Sequence, residues 1–150
     1  MSQIVKQAEE QLKQAIIKAV ELAQQNEQLP KAEMPQFIIE KPSDKKNGDF
    51  SSNIAMAGAR TFHLAPRAIA QAIINNIKFE NDLIEKVEIA GPGFINFYFS
   101  DNYYSEILKD IVESGENYGR TNYGEGKRIL VEFVSANPTG PMHIGNARGG

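Results

Sequence analysis

The spacing of apolar residues predicts three helices in the first half of the chain. The first covers about residues 2–25, because its apolar positions recur every three or four residues. The second ends near Arg60 and follows side-chain oxygens that suit a helix N-terminus. The third begins at Pro66, since proline fits the first turn of a helix. The apolar stripe of the first helix comprises Ile4, Val5, Ala8, Leu12, Ala15, Ile16, Ala19, Val20 and Ala23. The candidate caps of the second helix are Asp49, Ser51 and Ser52. The apolar stripe of the third helix comprises Ile69, Ala70, Ile73, Ile74 and Ile77.

Strand patterns occupy the middle of the chain. Residues 37–39 predict a short strand that ends before Pro42. Residues 83–90 and 94–100 each alternate apolar and polar positions, and the tight Gly-Pro-Gly connection between them predicts neighbouring antiparallel strands. Asp101 then suits the start of a helix whose predicted buried side is Tyr104, Ile107, Leu108, Ile111 and Val112.

The pattern changes after residue 113 and predicts a second domain. Residues 114–127 are rich in glycine and charge, which indicates a linker. Residues 128–134 are apolar with almost no alternation, as expected for a parallel strand that is covered on both faces. We therefore predict an α+β fold: helices packed on a small, mainly antiparallel sheet over residues 1–113, then the linker. Residues 128–150 are predicted to be the first strand-loop-helix of a Rossmann-like α/β domain, a fragment that cannot bury its apolar faces alone.

Composition narrows the classes of function. The chain has no cysteine and two histidines, which excludes disulfides and argues against a zinc site, so we expect no bound metal. We expect no membrane span and no signal peptide, and therefore a cytoplasmic protein. The net charge of -3 argues against a generally basic nucleic-acid binder. Any such site must be a local patch, with a solvated surface as the alternative; its candidates are Lys41, Lys45, Lys46, Arg60 and Arg67.

The segment from residue 137 onward suits the binding of a nucleotide phosphate. The run NPTGP excludes helix, and a helix start follows it. The free N–H groups at a helix N-terminus attract phosphate. Gly145 has no Cβ, so a base or phosphate can approach the backbone closely. His143 can donate to a phosphate oxygen as charge builds in a transition state, although an ordinary loop histidine is the alternative.

Glu132 interrupts the apolar strand predicted over residues 128–134. A buried carboxylate needs a partner, because burial of an unpaired charge is costly. Arg128 is the structural candidate, and the guanidinium of a ligand is the functional alternative, since it satisfies both carboxylate oxygens. Ser135 and Asn137 follow the strand and can bind the ammonium or carboxylate of an amino acid, with a turn role as the alternative for Asn137.

Alternation along residues 94–99 separates two faces. Ile95, Phe97 and Phe99 point one way, whereas the opposite face is aromatic, polar and aromatic again. Such a face can stack on an unpaired base and hydrogen-bond to its edge. The alternative is a second face packed beneath a helix.

Three segments resemble one family. The string VEFVSANPTGPMHIGNARGG at 131–150 closely resembles the ATP-site signature of arginyl-tRNA synthetases, and HIGN at 143–146 is similar to the HIGH signature of class I aminoacyl-tRNA synthetases. The segments NGDFSSNIAM at 47–56 and AGPGFINFYFS at 90–100 resemble the N-terminal additional domain of the same family. The resemblance covers most of the chain.

The resemblance implies an ATP site. His143 and Asn146 are the implied catalytic residues, which contact ATP and stabilise the transition state at the α-phosphate. Pro141 and Gly145 belong to the same ATP site, with adenine packed on Gly145. Asn146 departs from the HIGH pattern; asparagine keeps an N–H donor but carries no charge. The implied motif is Ala136, Asn137, Pro138, Thr139, Gly140, Pro141, Met142, His143, Ile144, Gly145 and Asn146.

The resemblance also implies contacts with the other two substrates. Glu132, Ser135 and Asn137 correspond to positions that contact arginine. Phe94 and Asn96 fall where some relatives read the D-loop of tRNA.

The implied parent protein is an arginine–tRNA ligase that acts on arginine, ATP with Mg²⁺, and tRNA(Arg). This chain is then its N-terminal part, expected to be monomeric, to contribute tRNA binding and to be inactive alone, because the family's lysine-rich second signature is absent. Two alternatives are another nucleotidyltransferase of the HIGH type and a free-standing tRNA- or RNA-binding module.

Overall fold

The computed structural model describes residues 3–79, 82–122, 124–134 and 140–145, with side chains from residue 7 onward. The chain divides into two compact units, Met1–Gly119 and Arg120–Gly150. The first unit has an α+β fold, as predicted. Its elements are α1 (Gln3–Gln25), β1 (Ile39–Glu40), a 3-10 turn (Lys45–Asn47), β2 (Phe50–Ser52), α2 (Ile54–Phe62), α3 (Pro66–Asn76), β3 (Ile84–Ala90), β4 (Phe94–Phe99), α4 (Asp101–Ser114) and a second 3-10 turn (Gly115–Asn117).

From Ala8 onward, helix α1 buries its predicted stripe, and the helix lies against α3. Ile16 and Val20 are fully buried within this stripe. The pattern identified this helix correctly because 23 residues supply several repeats of the helical period. The described residues form no helix with both the length and the apolar character needed to cross a bilayer.

The four strands form one sheet in the order β1-β2-β4-β3, and each neighbouring pair is antiparallel. The predicted pair at 83–90 and 94–100 is confirmed as β3 and β4. Ile95, Phe97 and Phe99 face the core, and helices α2 and α3 lie near β4 and β3 respectively. The sheet therefore has one face under helices and an opposite face that carries Phe94, Asn96 and Tyr98.

The segment after Gly48 corrects the sequence prediction. We expected Asp49, Ser51 and Ser52 to cap a helix, whereas residues 50–52 form strand β2. The Asp49 carboxylate instead accepts from the Phe99 amide at 2.8 Å and from the Tyr104 hydroxyl at 2.5 Å. Only Ser52 lies near the helix start, where its Oγ accepts from the Ile54 amide at 3.3 Å. Pairing with β4 overrides the local capping preference of these residues.

Strand β1 begins later than predicted. Its span is Ile39–Glu40, and not residues 37–39. The Ile38 amide is hydrogen-bonded to the Asn53 side-chain oxygen at 3.0 Å, so it does not take part in the ladder. A contact across 15 residues therefore shifts the start of the strand.

The β3–β4 turn contacts the start of α3. Gly93 has φ +143°, and a Cβ there would lie 2.8 Å from Cβ of Pro66. Nη1 of Arg67 donates to the Gly91 carbonyl at 2.7 Å. The Gly-Pro-Gly sequence thus permits a close approach as well as a tight turn.

Helix α4 forms as predicted, but its predicted buried side is wrong. Tyr103 is buried and stacks on Phe99 with ring centroids 4.0 Å apart. From the predicted stripe, Ile107 packs against the core, whereas Leu108 is 62% exposed and Val112 is 80% exposed. Tyr104 and Ile111 are exposed as well. Because Tyr103 stacks on Phe99, the face of α4 that carries Leu108 and Val112 is turned away from the core.

The second unit corrects the prediction of a buried strand at 128–134. These residues form no strand and are exposed throughout, with Leu130 97% exposed. A strand of the parallel type needs backbone partners on its edges, and the described residues from 120 onward include no other strand. Glu132 is therefore exposed and not buried.

We predict that Gly48→Ala destabilises the first unit by at least about 2 kcal/mol. Gly48 has φ 85° and ψ -170°, a region open mainly to glycine, and a Cβ there would lie 2.6 Å from the Phe97 carbonyl oxygen. Urea unfolding followed by circular dichroism measures the change. Gly91→Ala is the matched control: its φ is +50° with nothing within 4 Å, so a cost of about 1 kcal/mol is expected. Equal costs for the two variants would contradict the steric argument.

We predict that Tyr104 contributes stability that is lost at alkaline pH. Burial, and after it the hydrogen bond to Asp49, together raise the pKa of Tyr104 to about 12. Because the folded pKa lies above the ordinary value of 10.0, the stabilisation is complete below pH 10 and is lost as pH rises towards 12. Urea unfolding of the wild type and of Tyr104→Phe across this range tests it. The free energies of unfolding should converge as pH rises, and a constant difference between them contradicts the prediction.

Candidate functional site

The face of the sheet opposite the core, here called the outer face, holds the tRNA-binding residues expected from the sequence. Strand register places Ser51 opposite Asn96 and Asn96 opposite Glu88. Residues on directly paired positions of antiparallel strands share one face of the sheet. The outer face comprises Ser51, Lys86, Glu88, Phe94, Asn96 and Tyr98.

Asn96 lies nearly buried at the centre of this face. It is 3% exposed, and the adjacent Ser51 is 6% exposed. The Ser51 hydroxyl donates to Oδ1 of Asn96 at 2.8 Å. Phe94 and Tyr98, which flank Asn96 on the same strand, are half-buried. The alternation along β4 is thus as predicted, but the central polar residue is far less accessible than its two aromatic neighbours.

Charged groups surround Tyr98. Its hydroxyl donates to the Lys46 carbonyl at 2.9 Å, and Nζ of Lys86 lies 5.1 Å from the centre of its ring. Burial raises the pKa of Tyr98, and the Glu88 carboxylate raises it further. Lys86 forms an ion pair with Glu88, and their hydrogen bond raises the pKa of Lys86 and lowers the pKa of Glu88. This end of the outer face therefore combines an aromatic ring with a lysine ammonium group.

The basic residues singled out from the sequence take different positions. Lys45 and Lys46 form the 3-10 turn that meets Tyr98, so they adjoin the outer face. Lys41 lies over the Phe50 ring at 5.6 Å. Arg60 is in the last turn of α2, and Arg67 is bonded to the β3–β4 turn.

A separate groove of about 810 Å³ lies beside α1 and the segment after α3. Leu12, Leu22, Phe79 and Leu83 contribute to its apolar lining, which contains none of the described site residues. Among the residues that the structure describes, no three His, Asp or Glu side chains form a group that could hold a metal ion.

The described residues of the second unit include only part of the predicted ATP site. Pro141 and His143 are exposed, and Ile144 and Gly145 have 3-10 conformation. The Gly145 amide donates to Nδ1 of His143 at 3.1 Å. Nδ1 therefore acts as an acceptor, which leaves Nε2 as the ring nitrogen that can donate. Ser135, Asn137 and Asn146, together with motif residues Ala136, Pro138 and Thr139, lie outside the described residues.

Sequence reasoning missed two contacts of the outer face, one with Asn96 and one with Tyr98. Ser51 was assigned to a helix cap, and its contact with Asn96 depends on the register of strands 45 residues apart. Lys46 was noted only for its charge, whereas its carbonyl binds Tyr98. The one local signal for these contacts was the alternation of side chains along residues 94–99, which placed Tyr98 beside Asn96 on one face of the strand.

Comparison with known proteins identifies the first unit. A family described as "Arginyl tRNA synthetase N terminal domain" matches residues 6–99. Among solved structures, arginyl-tRNA synthetase from Plasmodium falciparum is 21% identical, with a TM-score of 0.48 over 63% of this chain and 17% of that chain.

Curated relatives match beyond the first unit. An arginine–tRNA ligase of Acetivibrio thermocellus is 45% identical over all 150 residues, and one of Caldanaerobacter subterraneus is 47% identical over the same length. One of Listeria welshimeri is 48% identical over 140 residues, or 93% of this chain. The chain spans 27%, 27% and 24% of the length of these relatives. Since the family match covers more than half of the residues, this chain belongs to the arginyl-tRNA synthetase N-terminal domain family.

Proposed function

We propose that this chain is the N-terminal part of an arginine–tRNA ligase and that its own contribution is to bind tRNA(Arg). The observation that carries the proposal is the 45% identity to such a ligase over the entire chain, including the HIGN segment beyond the family match. We further propose residues 1–113 as the tRNA-binding domain, 114–127 as a linker and 128–150 as the start of a Rossmann-like catalytic domain. A monomeric, cytoplasmic enzyme fits this proposal.

The proposed reaction has two steps. A carboxylate oxygen of arginine attacks the α-phosphorus of ATP, and the bond to pyrophosphate breaks to give arginyl-adenylate. The arginyl group then passes to a hydroxyl at the 3′ end of tRNA, and AMP leaves. Mg²⁺ bound to the ATP phosphates neutralises part of their charge. Positioning and charge stabilisation supply most of the catalysis in such a reaction.

His143 and Asn146 are the proposed catalytic residues, with Pro141 and Gly145 as further contacts for ATP. The bond from the Gly145 amide to Nδ1 of His143 supports this role, because it leaves Nε2 as the ring nitrogen that can donate. A donor of this kind stabilises negative charge on a phosphate oxygen. Glu132, Ser135 and Asn137 remain proposed arginine contacts, and the exposed Glu132 has the carboxylate that a guanidinium requires.

The proposed tRNA site is the outer face, centred on Phe94 and Asn96. Phe94 is half-buried, so its ring is held by the protein and keeps a surface for stacking. Asn96 offers an amide beside that ring, and Lys45 and Lys46 adjoin the same face through Tyr98. Stacking on an aromatic ring with cations nearby is how many proteins bind unpaired nucleotides.

A second candidate is a free-standing tRNA-binding module. The exposure of residues 128–134 is compatible with it, but it is equally expected for a fragment of a Rossmann-like domain, which cannot bury its apolar faces alone. The other alternative, a different nucleotidyltransferase of the HIGH type, leaves the family match over residues 6–99 unexplained.

We predict that the protein expressed from its complete reading frame charges tRNA(Arg) with arginine, and that the 150-residue chain alone does not. His143→Ala should lower kcat for arginine-dependent ATP–pyrophosphate exchange about a hundredfold, with tRNA(Arg) present. His63→Asn is the matched control, because His63 is a histidine of the first unit with φ 53° and asparagine tolerates that conformation. Full activity of the His143→Ala protein would remove His143 from the mechanism. A complete protein that binds tRNA(Arg) without charging it would favour the free-standing module.

We predict that Phe94→Ala raises Kd for tRNA(Arg) about tenfold or more, because it removes a stacking surface. Fluorescence anisotropy with a labelled transcript measures Kd. Leu108→Ala is the control, since it truncates an exposed apolar side chain on α4 and not on the sheet. An unchanged Kd for both Phe94→Ala and Asn96→Ala would show that the outer face does not bind tRNA.

A further inference from the structure

Lysine residues reach the Tyr98 end of the outer face from both sides of β4. On the β3 side, Lys86 is paired with Tyr98 across the strands, and its Nζ lies 5.1 Å from the centre of the tyrosine ring. On the β2 side, the 3-10 turn Lys45–Asn47 is attached to the same tyrosine, because the Tyr98 hydroxyl donates to the Lys46 carbonyl at 2.9 Å. Tyr98 thus brings two basic segments that are distant in sequence to one place.

The backbone of the 3-10 turn is held in place, while its lysine side chains are exposed. The Asp44 carboxylate accepts from the Lys46 amide at 3.0 Å, and the Gly48 amide donates to the Lys45 carbonyl at 3.2 Å. Directly after the turn, Gly48 approaches β4 so closely that a Cβ there would lie 2.6 Å from the Phe97 carbonyl oxygen. The Cα positions of Lys45 and Lys46 are therefore fixed before a ligand arrives, which lowers the entropy lost on binding.

Lys86 has a carboxylate counter-ion within its own strand. It forms an ion pair with Glu88, and both side chains are about half exposed. Residues two positions apart on a strand share one face, so this ion pair lies on the outer face. Water screens an exposed pair of this kind and leaves it weak. An incoming phosphate oxygen can therefore take the place of the Glu88 carboxylate beside the ammonium group.

We propose that the lysine cluster, which comprises Lys45, Lys46 and Lys86, is a subsite for backbone phosphates of tRNA. In the bound state, a phosphate oxygen displaces the Glu88 carboxylate from Lys86. This inference rests on the proposed tRNA-binding function of the outer face.

The phosphate subsite differs in kind from the stacking surface at Phe94. Tyr98 is four residues further along β4, which is about 13 Å at the residue spacing of an antiparallel strand. Lysine ammonium groups bind phosphate as point charges, and contacts with phosphate carry no direct information on base identity. The lysine cluster is therefore expected to strengthen the binding of an RNA loop that reaches Phe94 and to make that binding depend on salt.

The test is the salt dependence of Kd for a tRNA(Arg) transcript, with the protein expressed from its complete reading frame. Lys86→Gln should raise Kd about twofold to fivefold at low salt and lower the slope of log Kd against log salt concentration by about 0.7 to 0.9, the value for one phosphate contact. Lys45→Gln combined with Lys46→Gln should lower the slope by up to about twice as much. Lys86→Arg keeps the charge and should keep the slope. Lys13→Gln is the matched control, because Lys13 is an exposed lysine of α1, which packs on the core side of the sheet.

Glu88→Gln should have the opposite effect on binding. It removes the competing carboxylate and should lower Kd about twofold to fivefold. In a Lys86→Gln background most of this gain should disappear, because Glu88 then has no ammonium group to release. Tightening of the same size in both backgrounds would show that Glu88 acts on the phosphate by general repulsion, and displacement would be overturned.

The outcomes separate this inference from the proposed function. If Phe94→Ala weakens binding but the variants of the lysine cluster keep the Kd and the salt slope of the wild type, only the phosphate subsite is overturned. The same conclusion follows if Lys13→Gln lowers the slope as much as Lys86→Gln, because the effect then reflects total charge. If Phe94→Ala and Asn96→Ala leave Kd unchanged, the tRNA site itself is overturned.

Discussion

Strand β4 is hydrogen-bonded along both edges, to β2 on one side and to β3 on the other, and its position governs most of the first unit. The Phe97 carbonyl accepts from the Asp49 amide at 2.9 Å, and the Phe99 amide donates to the Asp49 carboxylate. That carboxylate also accepts from Tyr104, so one side chain joins the end of β4 to α4. Because side chains alternate along a strand, the same backbone that inserts Phe97 into the core holds Asn96 on the outer face. The geometry of the candidate site is therefore a consequence of core packing.

The parts of the fold that sequence predicted are those with a repeating local pattern. Helices α1 and α3 and strands β3 and β4 each contain enough residues for a period to be visible. Strand β2 has three residues, too few for a period, and its conformation depends on pairing with β4. Local pattern also left the orientation of α4 undecided, because the helix carries apolar residues on two faces. The stack of Tyr103 on Phe99 decides between them, and that is a tertiary contact.

The same distinction applies to the site. Alternation alone placed Phe94, Asn96 and Tyr98 on one face. The contact of Ser51 with Asn96 requires the register between β2 and β4, which no local pattern encodes. For Glu132, the apolar surroundings in sequence predicted burial, whereas the residue is exposed. Apolar composition shows that a segment is suited to a covered strand, but burial also needs neighbouring strands and covering layers, which are properties of other segments.

The near burial of Asn96 gives the proposed tRNA site a source of selectivity that exposure alone does not provide. An exposed amide can rotate and exchange partners with water, so it discriminates little between a donor and an acceptor. Oδ1 of Asn96 accepts a hydrogen bond from Ser51, and with 3% of its surface exposed the residue has little room to exchange this partner for water. A nucleotide that covers this amide without offering an acceptor leaves a buried N–H unpaired, and an unpaired buried polar group is more costly than a missing hydrogen bond at the surface. Selectivity at such a position comes from the penalty on wrong partners, so it depends on the packing that buries Asn96 as much as on its amide.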